Sequence, residues 1–168
     1  MRFTNGFPSR LVYHILPFPM DRVIVLIPEM NFTCNGSIVG YTVVSPIMGN
    51  SEIQVWRETG LSSQSGVYYR KIGSEQIDID HNFCTAAGGL VNCSLMNGIS
   101  VQSEDILGFK LPHNSKLMVA TATQAPTNYL FREEISRGPD PVSLTGSISS
   151  PELLPQITLE IESGNNIL

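Results

Sequence analysis

From about residue 22 onward the chain consists of short apolar runs separated by turn residues. The runs are rich in Val, Ile, Tyr and Phe, which suit the pleated, half-buried surface of a strand. We expect strands at residues 23–27, 38–44, 53–56, 67–72, 77–79, 90–95, 99–101, 106–111, 117–120 and 128–131. Turn signals such as Asn35-Gly36, Gly88-Gly89 and Asn97-Gly98 separate them. Many short strands at a spacing of about ten residues predict an antiparallel β-sandwich, jelly-roll-like in form.

The order of residues within these runs supports strands. Ile53 and Val55 share one face of a strand, whereas Gln54 and Trp56 share the other, because successive side chains alternate. No long stretch repeats with the helical period of about 3.6 residues, so helix content should be small. The expected fold class is therefore all-β.

Composition divides the chain into three parts. Residues 1–21 show no clear period and are left unassigned, residues 22–132 form the predicted sandwich module, and residues 133–168 form a linker or tail. The stretch 136–155 is rich in Gly, Pro and Ser, which is typical of a linker. Residues 157–161 alternate like a strand, which either folds back onto the module or begins a following module. The second alternative is slightly favoured.

Charge excludes some classes of partner. The net charge is -5 with ten Lys and Arg, and no basic stripe is present, so nucleic acid and anionic membrane surfaces are not expected partners. Residues 11–28 are the nearest candidate for a membrane span, but proline and charged residues interrupt them. Charged residues make up 15% of the chain, below the roughly 25% of an average domain. Such a surface suits a glycosylated exterior, while the oligomeric state stays open.

Three N-glycosylation acceptor patterns point to a compartment. They begin at Asn31, Asn35 and Asn92, and the first two flank Cys34. The N-terminus makes a poor signal peptide, because its apolar run is short and no small-residue cleavage site follows. Either the chain is a fragment of a longer extracellular protein, or the acceptor patterns are chance matches. We favour the first alternative and expect an extracellular or cell-surface location.

The cysteines are Cys34, Cys84 and Cys93. Cys84 and Cys93 flank the Gly88-Gly89 turn, which favours a disulfide across a hairpin, while Cys34–Cys93 is the alternative pairing. A third interpretation is three small buried thiols in a reducing cell. No Cys-x-x-Cys spacing supports zinc or redox chemistry.

Several segments occur in an order that resembles a known kind of domain. They are residues 27–38 with Gly40 and Tyr41, 53–57, 65–69, 101–108, Pro112 and 126–129. Together they resemble an uncharacterised extracellular β-rich module that recurs in predicted surface proteins of sponges. The resemblance implies a module that often precedes other extracellular domains and a membrane span in receptor-like or adhesive proteins. It implies no ligand and no catalytic residues.

One position departs from that family's pattern. The pattern usually has Gly before the Asp of the Asp-Ile-Leu-Gly segment, where this chain has Glu104. If the position needs a positive φ, Glu104 carries a strain that glycine avoids.

Metal and cofactor chemistry find little support. Asp78 and Asp80 share a strand face and, with His81, could ligate a cation such as calcium. Calcium needs six to eight oxygen ligands, so a solvated strand end is the simpler interpretation. We expect no cofactor.

Aromatic residues are the candidates for ligand binding. Trp56, with Arg57 beside it, and the pair Tyr68 and Tyr69 could form a binding face, since aromatic rings stack on sugars and anchor interfaces. Plain core packing is the other role for these rings, and it is the favoured one.

Catalysis is not expected. Glu104 and Asp105 are adjacent, so on a strand they point to opposite faces, and we expect both to be solvated. No nucleophile elbow, phosphate loop or zinc-protease motif is present. The expected function is a non-catalytic binding or adhesion module for a protein or glycan ligand. The alternatives are a calcium-assisted carbohydrate-binding domain, a glycoside-acting enzyme on a jelly-roll scaffold, and a structural spacer.

Overall fold

The computed structural model describes residues 2–5, 13–14, 23–44, 52–63, 66–77, 83–111, 119–120, 129–133, 142–143, 147–148, 154–155 and 157–163. All regular structure in these residues is β-strand, and the strand pairs are antiparallel. The all-β prediction is confirmed, and two large sheets are stacked as in a sandwich. The jelly-roll form of that sandwich stays a prediction.

Fifteen strands lie within the described residues. They are β1 (Arg2–Asn5), β2 (Tyr13–His14), β3 (Val23–Asn31), β4 (Gly36–Val44), β5 (Glu52–Ser63), β6 (Gly66–Gln76), β7 (Cys84–Ala87), β8 (Leu90–Val101), β9 (Ile106–Leu111), β10 (Val119–Ala120), β11 (Tyr129–Glu133), β12 (Val142–Ser143), β13 (Ser147–Ile148), β14 (Leu154–Pro155) and β15 (Ile157–Ser163).

The strands form two main sheets and one small sheet. The five-stranded sheet has the order β1-β15-β4-β8-β7, and the seven-stranded sheet has the order β12-β6-β5-β9-β3-β11-β13. Strands β14, β10 and β2 form the small sheet. Because β15 pairs with both β1 and β4, residues 157–163 fold back into the sandwich. This is the less favoured of the two alternatives that the sequence left open.

The main core lies between the two large sheets. Most of its members come from the inward faces of β4, β8 and β15 on one side and of β5 and β9 on the other, and two directly follow β3 and β6. All are buried: Phe32, Ile38, Tyr41, Val43, Ile53, Val55, Ile77, Val91, Cys93, Ile99, Val101, Leu107, Phe109, Leu159 and Ile161. The sheets approach closely at Gly73, where a Cβ would lie 2.7 Å from Ile99 Cγ2.

A second apolar cluster lies on the outer face of the seven-stranded sheet. It contains Leu26, Trp56, Tyr69 and Ile106, all buried. The seven-stranded sheet therefore buries apolar residues on both faces, whereas half-buried Thr42 and exposed Asn92 and Ser94 alternate with inward residues on the five-stranded sheet.

Strand β8 carries a large irregularity. Its partner residues jump from Ile99, opposite Ile38, to Ser94, opposite Gly40, so the four residues 95–98 face only Val39. Gly98 has a φ of 57° in this segment. The prediction of a turn at Asn97-Gly98 between two strands is wrong. The segment is an outward bulge within one long strand, β8.

Candidate functional site

Two segments that are far apart in sequence meet at one end of the sandwich. The acceptor segment, residues 31–37, joins β3 to β4, and the 102–105 turn joins β8 to β9. The backbone N–H of Phe32 donates to the carbonyl of Asp105 at 2.8 Å, and the N–H of Glu104 donates to the carbonyl of Phe32 at 2.8 Å. The structure thus brings together the two acceptor patterns around Cys34 and the Asp-Ile-Leu-Gly segment.

Two acceptor asparagines contact this turn through different atoms. Asn31 Nδ2 donates to a carboxylate oxygen of Glu104 at 3.0 Å, whereas Asn35 Oδ1 accepts from the backbone N–H of Ser103 at 2.9 Å. The third, Asn92, lies on β8, where its Oδ1 accepts from the hydroxyl of Thr42. Asn35 and Asn92 are exposed and Asn31 is half-buried. Their role as glycosylation acceptors stays a prediction.

Glu104 adopts a left-handed conformation. Its φ is 73°, and among the described residues no other non-glycine residue has a positive φ. A side chain with a Cβ is strained there, because Cβ crowds the backbone in this region. The position therefore adopts a conformation that glycine accommodates without this strain.

Asp105 is the other half of the adjacent carboxylate pair, and it is buried. Its side chain is 1% exposed and forms a two-point ion pair with Arg57, whose side chain is 37% exposed. Asp105 also accepts the backbone N–H of Gln102 at 2.8 Å. The hydrogen bonds to Asp105 raise the pKa of Arg57 above its ordinary value. The expectation of two solvated carboxylates is wrong for Asp105, because the turn directs this residue inward against a cation from β5.

Trp56 is held in place by its neighbours. It is 4% exposed, and its indole Nε1 donates to Gln54 Oε1 at 2.9 Å. The amide of Gln54, itself buried, donates onward to Glu52 Oε1 at 3.2 Å. Gly108 lies beneath the ring, since a Cβ there would lie 2.9 Å from Trp56 Cδ1. In this structure the indole packs as part of the second apolar cluster.

The other predicted ligand-binding residues are spread over different surroundings. Tyr69 is buried beside Trp56, and burial, together with the charge of Glu58, raises the pKa of its phenol. Tyr68 precedes it and is half-buried, and Arg57 holds Asp105. These residues do not form one exposed patch in the structure, and a ligand-binding role for them stays a prediction.

A disulfide joins the edge strand β7 to β8. Cys84 and Cys93 lie directly opposite each other and are bonded, which is the first of the two pairings expected from the sequence. Cys34 is half-buried and belongs to no disulfide. The bond attaches the short strand β7 to the long strand that carries the bulge.

A groove of about 150 Å³ opens beside this disulfide. It lies where the end of β6 meets β7 and β8, and its lining includes Tyr41, Glu75, Phe83, Leu95, Met96 and Asn97. Met96 is 76% exposed and lies in the bulge of β8. Sequence reasoning missed this groove because residues 95–98 look like a turn. The available signal was an apolar pair, Leu95 and Met96, directly before Asn97-Gly98.

Metal binding was the remaining site hypothesis. Asp78, Asp80 and His81 lie outside the described residues. Among the residues that are described, no group of three or more His, Cys, Asp or Glu side chains is placed to hold a metal ion.

The described part of the chain contains no helix that is long and apolar enough to cross a membrane. No family model, curated protein or solved structure matches the chain.

Proposed function

We propose that this chain is a non-catalytic extracellular module that binds or adheres to a protein ligand. The Cys84–Cys93 disulfide carries the proposed location, because disulfides form and persist in oxidising compartments and are rare in the cytosol. The exposed acceptor residues Asn35 and Asn92 add support. The buried, paired state of Asp105 supports a structural role for that carboxylate rather than a catalytic one.

The groove beside the disulfide supports a protein ligand. At about 150 Å³ it is smaller than the roughly 300–1,000 Å³ of pockets that hold whole small molecules. It has room for one apolar side chain, and such an anchor inserted into a pocket supplies much of the energy of many protein interfaces. Glu75 at the groove favours a basic residue next to that anchor.

A screen against extracellular proteins tests this proposal. The chain is displayed bivalently on a carrier and applied to an array of purified ectodomains and to a glycan array. Any ligand found is then tested against Met96→Asp, which places a charge at the groove. Leu61→Asp is the matched control, because Leu61 is 59% exposed and belongs to β5, outside the groove lining.

The outcomes separate the candidate functions. Loss of at least about tenfold in affinity for a protein ligand with Met96→Asp, but not with Leu61→Asp, supports the proposal. Binding to glycans alone, equally strong in both variants, would favour the carbohydrate-binding alternative. A protein ligand that both variants bind as well as the parent would overturn the assignment of the groove.

A further inference from the structure

The three acceptor asparagines lie in three different environments. Asn35 is exposed between two strands, Asn92 is exposed in the middle of a sheet, and Asn31 is half-buried at the end of β3. The three patterns are Asn-Phe-Thr, Asn-Gly-Ser and Asn-Cys-Ser, and each places its asparagine in a different structural environment.

We propose that Asn35 carries the main glycan, that Asn31 stays bare, and that Asn92 is modified only while the Cys84–Cys93 bond is open. The inference rests on the extracellular location proposed above. The donor is a lipid-linked oligosaccharide diphosphate. A bond forms between Asn Nδ2 and sugar C1, the bond from C1 to the phosphate oxygen breaks, a base of the transferase takes one Nδ2 proton, and the lipid diphosphate leaves.

Asn35 offers the reacting atom to solvent. Its one hydrogen bond to the 102–105 turn uses Oδ1, so Nδ2 stays available on an exposed side chain. A glycan on Nδ2 keeps that hydrogen bond. Folding and modification at Asn35 are therefore compatible.

Asn31 uses the same atom for a structural contact. Its Nδ2 donates to Glu104, whose left-handed conformation places the carboxylate against it. A glycan replaces one of the two Nδ2 hydrogens, so the first sugar would lie directly beside the Glu104 carboxylate that the other hydrogen contacts. Because the side chain is also half-buried, a glycan on Asn31 would compete with docking of the acceptor segment on the 102–105 turn.

Asn92 is exposed, but its backbone is held on both sides. It pairs with Thr42 on β4 and with Thr85 on β7, and the next residue is joined to β7 by the disulfide. A transferase must bind the acceptor residues as a separate strand, so each pattern is accessible only before its strand pairs. Gly36 and Ser37 of the Asn35 pattern also pair on both sides, with β8 and β15, but only at Asn92 does a disulfide make the pairing covalent. Its neighbour Cys93 points inward, so a glycan on Asn92 lies on the outer face, away from the groove.

Site-by-site occupancy tests the inference. Residues 1–168 are secreted from eukaryotic cells behind an added signal, and the glycans are released enzymatically in heavy-oxygen water, which labels each formerly occupied asparagine. We expect occupancy to be high at Asn35, several-fold lower at Asn92 and near background at Asn31. Mild reductant during synthesis, or Cys84→Ser, which removes the bond and leaves the Asn92-Cys93-Ser94 pattern unchanged, should raise occupancy at Asn92.

Hydroxyl variants provide matched controls. Ser37→Ala abolishes the second acceptor pattern while keeping the Asn35 side chain, so it should remove most of the glycan mass without unfolding the protein. Thr33→Ala abolishes the first pattern and should leave the glycan mass unchanged. Occupancy at Asn31 equal to that at Asn35, or occupancy at Asn92 that is insensitive to reductant, would overturn the inference. A secreted chain bare at all three positions would instead overturn the proposed extracellular function.

Discussion

The guanidinium of Arg57 holds the carboxylate of Asp105 at two points across 48 residues of sequence, with Nε–Oδ1 at 2.6 Å and Nη2–Oδ2 at 2.8 Å. This ion pair joins β5 to the start of β9. Asp105 also contacts the backbone of Gln102, and its carbonyl accepts from Phe32. One buried residue, Asp105, thus connects the ion pair and the 102–105 turn through its carboxylate and the acceptor segment through its backbone carbonyl.

Removing the cation should destabilise the domain markedly. In Arg57→Ala the buried Asp105 loses its counter-charge, and breaking a buried pair typically costs 3–5 kcal/mol. Because the Arg57 side chain is partly exposed to solvent, we expect about 2–3 kcal/mol in urea unfolding. Lys71→Ala is the control, since its pair with Glu52 is longer, at 3.8 Å, and should cost less than about 1 kcal/mol. Equal losses in the two variants would contradict this role of the ion pair.

The left-handed conformation of Glu104 should make a glycine variant at this position more stable than an alanine variant. Glycine at this position removes the Cβ strain, whereas alanine keeps the strain, and both lose the hydrogen bond from Asn31. We expect Glu104→Gly to unfold with a free energy about 1–2 kcal/mol above that of Glu104→Ala. Chemical denaturation measures both values. An alanine variant as stable as the glycine variant would show that the strain is absent.

A larger side chain at Gly108 should clash with the chain's single Trp. A methyl group at Gly108 would meet Leu26 and the Trp56 ring, so Gly108→Ala should cost about 1–3 kcal/mol through overpacking. Fluorescence should shift because the indole is displaced. Gly88→Ala is the control: its φ is 60° and a Cβ there meets nothing within 4 Å, so it should lose stability without changing the emission. Unchanged emission in Gly108→Ala would contradict the contact.

Glu52 should account for part of the stability that the protein loses at acid pH. Burial alone would raise the pKa of Glu52, but hydrogen bonds from Ser74 and Gln54 and the charges of Lys71 and Lys110 lower it below its ordinary value. A lowered folded-state pKa contributes stability that is present above the ordinary carboxyl pKa and is lost as pH falls through the folded value. Glu52→Gln should therefore lose less stability than the parent between neutral pH and about pH 3. Identical pH profiles would contradict the shift.

The alternation of apolar and polar residues within a strand could be predicted from the sequence, and it assigned residues to the two faces of β5. Ile53 and Val55 face the core between the sheets, as their alternation with Gln54 and Trp56 indicated. Burial of Trp56 on the opposite face agrees with the core-packing interpretation, but the residues from β3 and β6 that pack beside it could not be predicted. Strand β7 was missed because Cys-Thr-Ala-Ala carries no apolar alternation, and its pairing comes from β8.

Non-local contacts explain what sequence reasoning missed at the site. The disulfide was predictable because its cysteines flank a Gly-Gly turn, so the pairing is local. The partner of Asp105 and the groove at Met96 depend on which strands become neighbours, and period and spacing do not specify that order. The fold-back of β15 depends on the same information.

The intact mass of the secreted chain tests the extracellular function most directly. Residues 1–168 are produced behind a secretion signal, and the mass is measured with and without N-glycosidase and with and without reductant. We expect a glycan mass that the glycosidase removes, and a gain of two hydrogens on reduction of the Cys84–Cys93 bond. A secreted product with bare asparagines and three free thiols would contradict the extracellular function.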